Sequence, residues 1–243
     1  MSRESINVSV ALAACNGERY LLEQVVSILA QLGSEDELII SVDPSSDRTL
    51  ELAQQVAQQS PQVVVLQGPG RGVAANFEQA IAATSREVIL LSDQDDVWLP
   101  DKVDNVVDAF VMCDATAVVH DAELVDEQLR QLEPSFFAQR GTRQGFLRNL
   151  MKNSYMGCCM AFVRNFKPYI LPFPEGIPAY DQWIGLLAEN HGGVALITKP
   201  LLQHRLHGGN LTPAEHASPK QMLAWRRTLL KALQQREAEI RQR

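Results

Sequence analysis

The segment LLSDQDDVWLP, residues 90–100, carries three carboxylates within four positions, directly after a run of apolar residues. Asp93, Asp95 and Asp96 repel one another, so this is either a solvated turn or a site where a cation offsets the repulsion. Mg²⁺ and Mn²⁺ take few protein oxygens and complete their coordination with water and phosphate, which suits Asp-x-Asp at a strand end. A calcium loop fits less well, because no glycine or glutamate follows at EF-hand spacing.

Other polar segments have the composition of ligand-binding loops. Asp43 follows the apolar segment ELIISV, and Asn16 lies just after INVSVALAA. The turn GPGRG at 68–72 is either a simple tight turn or a backbone cradle for phosphate at the start of a helix. It does not complete the dinucleotide fingerprint, because Val73 stands at the third glycine's place and the turn follows the third strand, not the first.

The elements that must position these residues alternate between strand and helix patterns. In chain order we predict strand 6–14, helix 17–32, strand 37–42, helix 47–59, strand 63–67, helix 74–83 and strand 87–92. This order predicts an α/β fold whose mainly parallel central sheet carries helices on both faces. Ligands bind beyond the carboxyl ends of such strands, where the four polar segments would converge. The convergence favours a ligand site over a solvated turn.

The second half of the chain is less regular. We predict helices 101–113, 180–190 and 219–243, and strands 116–120, 157–163 and 194–198. Trp98 is better explained as a core anchor than as a sugar platform, whereas Trp183 is equally suited to packing and to stacking on a sugar.

Composition excludes several classes of protein. A chain of 243 residues with 46% hydrophobic residues suits a globular domain with a sizeable core. We find neither a membrane-spanning apolar run nor a signal peptide, so we expect a cytoplasmic protein. The vicinal pair Cys158–Cys159 lies in an apolar run, which predicts buried thiols. Aromatics form only 6% of the chain and are not interleaved with a basic stripe, so no nucleic-acid partner is expected.

Charge is distributed unevenly along the chain. Residues 1–133 hold 23 acidic and 7 basic residues, whereas residues 134–243 hold 6 acidic and 15 basic residues. No acid lies between Glu133 and Glu175, an interval rich in arginine and lysine. The basic half could face phosphate groups or an anionic membrane surface. The final helix, basic and amphipathic, could lie on a membrane, pair with another subunit or pack on its own domain.

Seven motifs in a fixed order resemble one family. They are AACNGERYLLEQVVSILAQ, IISVDPSSDRTLEL, GRGVAANFEQAI, LLSDQDDVWLPDKV, GCCMAFVR, IPAYDQWIGLLA and LLQHRLHGGN. Over residues 6–211 they resemble family 2 glycosyltransferases of the GT-A fold, and in particular the bacterial rhamnosyltransferase-like subgroup. The resemblance implies transfer of a sugar from a nucleotide-sugar to an acceptor, with inversion at the anomeric carbon.

The resemblance also implies roles for individual residues. Asp95 would be the direct ligand of Mn²⁺ or Mg²⁺ with Asp93 nearer the ribose, His207 would lie near the metal and diphosphate, and Asp181 would be the catalytic base. The implied nucleotide-sugar contacts are Ala13, Asn16, Asp43, Arg71, Asn76, Asp93 and Gly157. Each role has a simpler alternative: Asp181 would serve only as a helix N-cap, and His207 would merely end a strand.

Two positions depart from the family pattern. Cys15 replaces an aromatic residue that stacks on the base, and Val42-Asp43-Pro44-Ser45 replaces Asp-Asp-Gly-Ser. These departures affect base selectivity more than activity, because the metal pair and the base remain.

The sequence therefore predicts a GT-A domain over 1–215 and a basic amphipathic helix over 216–243. We expect a metal-dependent, inverting glycosyltransferase of bacterial surface polysaccharide synthesis that uses a dTDP- or UDP-sugar, with rhamnose as one candidate, and a saccharide or lipid-linked acceptor. Peripheral contact with the inner face of the plasma membrane is compatible with the basic half. The alternative is a catalytically silent relative that binds a nucleotide-sugar and acts as a partner-binding module. A sugar nucleotidyltransferase is disfavoured, because its glycine-rich first loop is absent at residues 14–19.

Overall fold

The computed structural model describes residues 6–208 and 218–242. The strands are β1 (Val8–Ala14), β2 (Glu37–Val42), β3 (Val63–Gln67), β4 (Val88–Asp93), β5 (Val97–Trp98), β6 (Ala117–Val125), β7 (Gln131–Glu133), β8 (Met160–Val163) and β9 (Val194–Arg205). The helices are α1 (Leu21–Leu29), α2 (Thr49–Gln59), α3 (Val73–Ala83), α4 (Lys102–Met112), α5 (Phe136–Arg140), α6 (Phe146–Met151), α7 (Lys167–Ile170), α8 (Tyr180–Asn190) and α9 (Pro219–Arg241). Within these residues we find no helix with the length and apolar character needed to cross a membrane.

The first half of the chain forms the parallel part of the sheet, in the order β3-β2-β1-β4. Every residue of β1 is buried, as expected for a strand covered by helices on both faces. Helix α1 buries Leu21, Val25 and Ile28, whose spacing forms one apolar face. The predicted alternation of strands and helices is confirmed here. Predicted helix 17–32 was too long, because the ordered helix begins only at Leu21.

The second half makes the sheet mixed. Strand β8 is inserted antiparallel between β4 and β6, β9 pairs parallel with β6, and β5 pairs antiparallel with β9. The prediction of a strand over 157–163 was wrong for its first three residues, which form a 3₁₀ turn before β8. A Cβ at Gly157 would collide with the Tyr180 side chain, so α8 packs too closely for a side chain there. Strands β6 and β9 are longer than predicted.

Trp98, Trp183 and the cysteine pair are core residues. Trp98 is buried beneath the Lys102 ammonium, whose Nζ lies 4.0 Å from the ring centroid. Trp183 is fully buried and donates its indole N–H to the Ile170 carbonyl at 2.9 Å. Cys158 and Cys159 are buried free thiols, as predicted. Neither tryptophan offers a face to a sugar.

Helix α9 has two unlike parts. Leu229, Leu233 and Arg236 are buried against the domain, and the Arg236 guanidinium donates to the carbonyls of Tyr169 and Pro172 at 2.7 and 2.6 Å. Residues 220–225 are exposed. The C-terminal part of the helix therefore packs on its own domain. The domain boundary predicted at 215/216 lies outside the described residues.

Candidate active site

The loop after β1 is tied to the segment after β4 by one side chain. The Gln94 amide accepts the Cys15 backbone N–H at 2.7 Å and donates to the Cys15 carbonyl at 2.8 Å. A Cβ at Gly17 would displace the end of the Gln94 side chain that makes these two hydrogen bonds. Asn16 adopts a left-handed backbone (φ 51°), and its side-chain oxygen accepts the Ser46 backbone N–H at 2.8 Å. Three strand ends thus meet at one edge, as the sequence predicted.

Asp43 and Asn76 organise the neighbouring loop. The buried Asp43 carboxylate accepts the Gly70 backbone N–H at 2.8 Å, and Asn76 donates to the Ala14 carbonyl at 3.1 Å. A Cβ at Gly68 would meet both side chains. Asp43 and Asn76 therefore hold the turn 68–72 from its buried side. Arg71, which belongs to this turn, is exposed.

The three acids at the end of β4 and directly after it, Asp93, Asp95 and Asp96, lie in different environments. Ala13 pairs with Asp93 in the sheet, and burial together with the charges of Asp96 and Asp95 raises the pKa of Asp93 to about 8. Burial and the Asp96 charge likewise raise the pKa of Asp95, whose Oδ2 lies 2.8 Å from His207 Nε2. The mutual repulsion inferred from the sequence is therefore real at this edge.

The negative charge of Asp96 is balanced by a neighbouring histidine of the protein. Its Oδ1 lies 2.9 Å from His204 Nδ1 and accepts the Arg205 backbone N–H at 3.2 Å. Burial alone would raise the pKa of Asp96, but the charge and hydrogen bond of His204, together with the hydrogen bonds from Cys158 and the Arg205 N–H, outweigh burial and lower that pKa. Burial opposes the charged form of His204 as well, yet Asp96 raises the pKa of His204 to about 10. This buried ion pair joins β9 to the acidic loop.

Strand β9 also orients His207. The His207 ring packs against Tyr20, with centroids 5.1 Å apart, and the Arg205 guanidinium lies over the same tyrosine ring. Arg205 Nε donates to the Asp95 carbonyl at 2.9 Å, and its Nη2 lies 2.6 Å from Glu23. These contacts hold His207 and Asp95 together as one unit.

Asp181 lies in the first turn of α8, whose N-cap is Ala179, so Asp181 is not the helix cap. Its Oδ1 accepts the Asn153 side-chain amide at 3.1 Å and the Gln182 backbone N–H at 2.6 Å. The dipole of a helix favours the ionised form of a carboxyl in its first turn. Burial has the larger effect and raises the pKa of Asp181 to about 6, although both hydrogen bonds and the charge of Arg140 act in the opposite direction.

Tyr180 connects the two groups of acids. Its ring stacks on Phe77 with centroids 4.5 Å apart, and its hydroxyl occupies the space that a Cβ at Gly157 would need. Burial raises the pKa of Tyr180, and the charges of Asp93 and Asp181 raise it further, so both acids lie within electrostatic reach of one phenol. The charges of the acid cluster and of Asp181 therefore act on one shared side chain, Tyr180, which packs against Gly157.

Two sets of side chains are candidates for holding a cation. Asp95 and His207 form a pair beside Asp93, and this carboxylate-rich set fits Mg²⁺ or Mn²⁺ because a cation would relieve the crowding that raises both aspartate pKa values. In the described part of the chain, donor atoms of Asp96, Cys158 and His204 also lie within 4.8 Å of one another. Asp93 does not complete an equally compact group with Asp95 and His207.

The model of the family "Glycosyl transferase family 2" matches residues 9–170. The chain belongs to this family. The match covers β1 to β8 and with them the acidic loop, and it confirms the resemblance inferred from the motifs.

Two proteins similar to this chain are named for the sugar donors they use. The chain is 33% identical to a dTDP-rhamnosyl transferase of Shigella flexneri (RfbG) over 110 residues, which are 43% of the chain and 38% of that protein. It is 21% identical over 186 residues to a UDP-glucose-dependent β-1,3-glucosyltransferase of Escherichia coli (WfgD), covering 76% of the chain and 71% of that protein. The chain spans less than two-fifths of the length of several curated relatives it matches.

Solved structures confirm the fold. A crystal structure of S. aureus TarS residues 1–349 with UDP-GlcNAc superposes with a TM-score of 0.70 at 18% identity, covering 92% of this chain and 65% of that one. The prediction of a GT-A type α/β fold is therefore confirmed.

Several residues of this region were not singled out from the sequence. Asn153, Tyr180 and His204 make side-chain contacts across long sequence separations. The motifs LLQHRLHGGN and IPAYDQWIGLLA contain His204 and Tyr180, so proximity to His207 and Asp181 was the available signal. No pattern around Asn153 indicated its contact with Asp181.

Proposed function

We propose that this family 2 glycosyltransferase chain transfers a sugar from a pyrimidine nucleotide-sugar to a hydroxyl acceptor, with inversion. The observations that carry the proposal are the Asp95–His207 contact beside Asp93 and the lone carboxyl of Asp181, with the charges of Asp93 and Asp181 both acting on the partly buried Tyr180. The donor class is supported by relatives that use dTDP-rhamnose and UDP-glucose and by the TarS complex with UDP-GlcNAc.

The donor would lie across the loops at the strand ends. Asp43 and Asn16 would face the nucleoside, Arg71 is exposed beside them, and Asp93 lies next to Ala13 at the edge of the sheet. Asp95, Asp93 and His207 would hold Mn²⁺ or Mg²⁺, which when bound supplies positive charge for the leaving diphosphate. The other two residues expected at the nucleotide-sugar would act indirectly. Asn76 donates to the Ala14 carbonyl, and Gly157 leaves room for the Tyr180 hydroxyl.

Asp181 would act as the base. Its two hydrogen bonds go to Oδ1, which leaves Oδ2 to accept the proton of the attacking acceptor hydroxyl. A pKa of about 6 makes this carboxylate a stronger base than an ordinary aspartate while it remains ionised at neutral pH. The proton thus leaves the hydroxyl as the new glycosidic bond forms on the face opposite the diphosphate.

The acceptor is proposed to be a saccharide or a lipid-linked saccharide of a bacterial surface polysaccharide. Rhamnose is the donor sugar to test first, because the Shigella relative is a dTDP-rhamnosyl transferase. We place the reaction on the cytoplasmic side of the plasma membrane.

A thermal-shift panel of nucleotide-sugars with and without Mn²⁺ tests the donor, and a product assay of the best donor with a saccharide acceptor tests the transfer. We expect a Mn²⁺-dependent shift with dTDP- or UDP-sugars and product of inverted anomeric configuration. Binding without hydrolysis or transfer would indicate the silent, partner-binding alternative. Product of retained configuration would contradict the role of Asp181.

A further inference from the structure

The acid-free interval of the sequence is divided between two places in the fold. Arg164 donates to the Ser85 carbonyl at 2.7 Å, and Lys167 donates to the carbonyls of Ala82 and Thr84 at 3.0 and 2.7 Å. These two side chains donate to carbonyls at the C-terminal end of α3, where the carbonyls lack partners within the helix. They face the end of the sheet opposite the acidic loop and do not belong to a shared basic surface.

Arg148 and Lys152, by contrast, lie on α6 and directly after it, and both α6 and α9 carry exposed apolar side chains. Leu147 is 74% exposed and Met151 is 57% exposed, although α6 packs on α8 through its buried side. On α9, Leu223 and Trp225 are exposed at 47% and 39%. Six of the fourteen large apolar side chains that are exposed in the described part of the chain belong to these two helices. Isolated exposed apolar residues are ordinary, but here such residues are concentrated on two helices.

A direct contact joins the two helices. Arg226 of α9 donates from Nη2 to the Met151 carbonyl at the end of α6, at 2.6 Å. We call the resulting area the α6–α9 surface and define it by Leu147, Met151, Lys152, Leu223, Trp225 and Arg227. All six residues are exposed.

The charge of this surface has one sign. Residues 134–174 and 217–236 contain no aspartate or glutamate, so every charged side chain that α6 and the first part of α9 present is basic. Apolar side chains surrounded by lysine and arginine are the pattern that binds a bilayer interface, where the apolar groups enter the headgroup region and the cations meet anionic lipid. A face built to pair with an acidic protein would not require the exposed leucines and tryptophan.

The surface adjoins the proposed base. Asn153, two residues beyond Met151, donates to Asp181, and the Arg140 guanidinium donates to the Asn153 carbonyl at 3.3 Å. An acceptor whose lipid part lies in the membrane would therefore present its sugar beside Asp181.

We propose that the α6–α9 surface docks this chain on an anionic lipid bilayer. The docking itself does not require the proposed function, and only the presentation of a lipid-linked acceptor rests on it. Binding should depend both on the cations and on the apolar side chains of the surface.

Co-sedimentation with vesicles tests the proposal. The full chain is mixed with vesicles of phosphatidylcholine alone, or of phosphatidylcholine with phosphatidylglycerol, at low and at high salt. We expect binding to the anionic vesicles at low salt and its loss at high salt. A protein that stays in the supernatant with anionic vesicles at low salt overturns the proposal.

Matched variants locate the contact. Lys152→Gln with Arg227→Gln should weaken vesicle partitioning roughly tenfold or more, whereas Arg48→Gln with Arg164→Gln removes two exposed cations elsewhere and should leave it nearly unchanged. Leu147→Gln with Trp225→Gln should also weaken it, and Val26→Gln with Met112→Gln is its control, since those side chains are 66% and 84% exposed outside the surface. Equal effects of each pair and its control would overturn the proposal.

Two further measurements distinguish membrane docking from loss of catalysis and from self-association. Nucleotide-sugar hydrolysis without vesicles should be retained by the surface variants, so that failure of docking and failure of the proposed transferase activity are read independently. Sedimentation equilibrium reports whether the chain self-associates. A dimer that Leu147→Gln with Trp225→Gln dissociates, without vesicle binding by the original chain, would assign the surface to a second copy and overturn membrane docking.

Discussion

The acidic residues at the end of β4 and the carboxyl of Asp181 are both removed from water, but the groups that contact them differ. At this edge the three acids lie together, β9 supplies His204 to Asp96, and the segment directly after β9 supplies His207 to Asp95. Asp181 has no cation in hydrogen-bond contact within the described residues and is held by the amide of Asn153 and the Gln182 N–H instead. A group of acids with histidine partners suits the binding of a cation and diphosphate, whereas a lone buried carboxyl suits proton transfer.

The strongest test of this contrast is the removal of the proposed base. Asp181→Asn should lower turnover by about 10²- to 10⁴-fold, because the amide fits the same hydrogen bonds but does not accept the proton. Nucleotide-sugar binding, measured by calorimetry, should change little. Asp104→Asn, an exposed first-turn aspartate of α4, is the matched control. Retention of most transferase activity by Asp181→Asn would place the base elsewhere.

The next test concerns the acidic loop. Asp95→Asn should lower transfer by about two to three orders of magnitude and should remove the effect of Mn²⁺ on donor affinity, because a principal ligand is lost. Chelator should have the same effect on the original chain. The control is Asp101→Asn, an exposed aspartate with a left-handed backbone (φ 64°) that asparagine tolerates. Full activity of Asp95→Asn in chelator would refute the metal role.

A smaller effect should follow from loosening the support of Asp181. Asn153→Ala should lower kcat by about tenfold, since the carboxyl loses the amide that orients it. The same hydrogen bond favours the anion, so its loss should raise the pKa of Asp181 and move the acidic limb of the kcat profile, expected near pH 6, to higher pH. Asn165→Ala, exposed at the other end of the sheet, should shift nothing. An unmoved limb in Asn153→Ala would show that another group sets it.

The smallest expected effect is on stability. The pKa of Asp181 is about 6 in the folded chain and roughly 4 in an unfolded one. The folded chain therefore binds the extra proton between these values, and its stability falls as pH rises through that window. Asp181→Asn should be more stable than the original chain above pH 6, by up to about 3 kcal/mol, and equal to it at the acidic end. Urea unfolding across this range measures the difference, and a difference independent of pH would contradict the raised pKa.

Much of the proposed donor side, the edge formed by the ends of β1 to β4, was predictable because its signals are local. The parallel strands β1 to β4 are short apolar runs, and the residues that follow them meet because parallel strands end at one edge. Asp43, Asp93 and Asp95 could thus be placed together from order alone. The motif resemblance added Asp181 and His207, which lie beyond the family match over residues 9–170 and stay predictions.

The proposed acceptor side, which includes Gly157, Tyr180 and Asp181, depended on contacts that no local pattern encodes. The 3₁₀ turn at Gly157 exists because Tyr180, 23 residues later, fills the space of a side chain. The antiparallel insertion of β8 depends on which strands flank it, and a four-residue apolar run carries no direction. Short helices such as α5 and α6 gave too few residues for a periodic signal.

The sequence by itself determined the alternation of strands and helices, the family, and the clustering of acids at a strand edge, because each follows from residue order. The tertiary structure alone decided the state of those acids. Burial raises the pKa of Asp181 to about 6 against its helix dipole, and His204 lowers that of Asp96 against burial. Desolvation and partner charge depend on what packs around a group, and the packing partners come from distant parts of the chain. The same holds for the α6–α9 surface, whose two helices are joined by an arginine 75 residues from the carbonyl it meets.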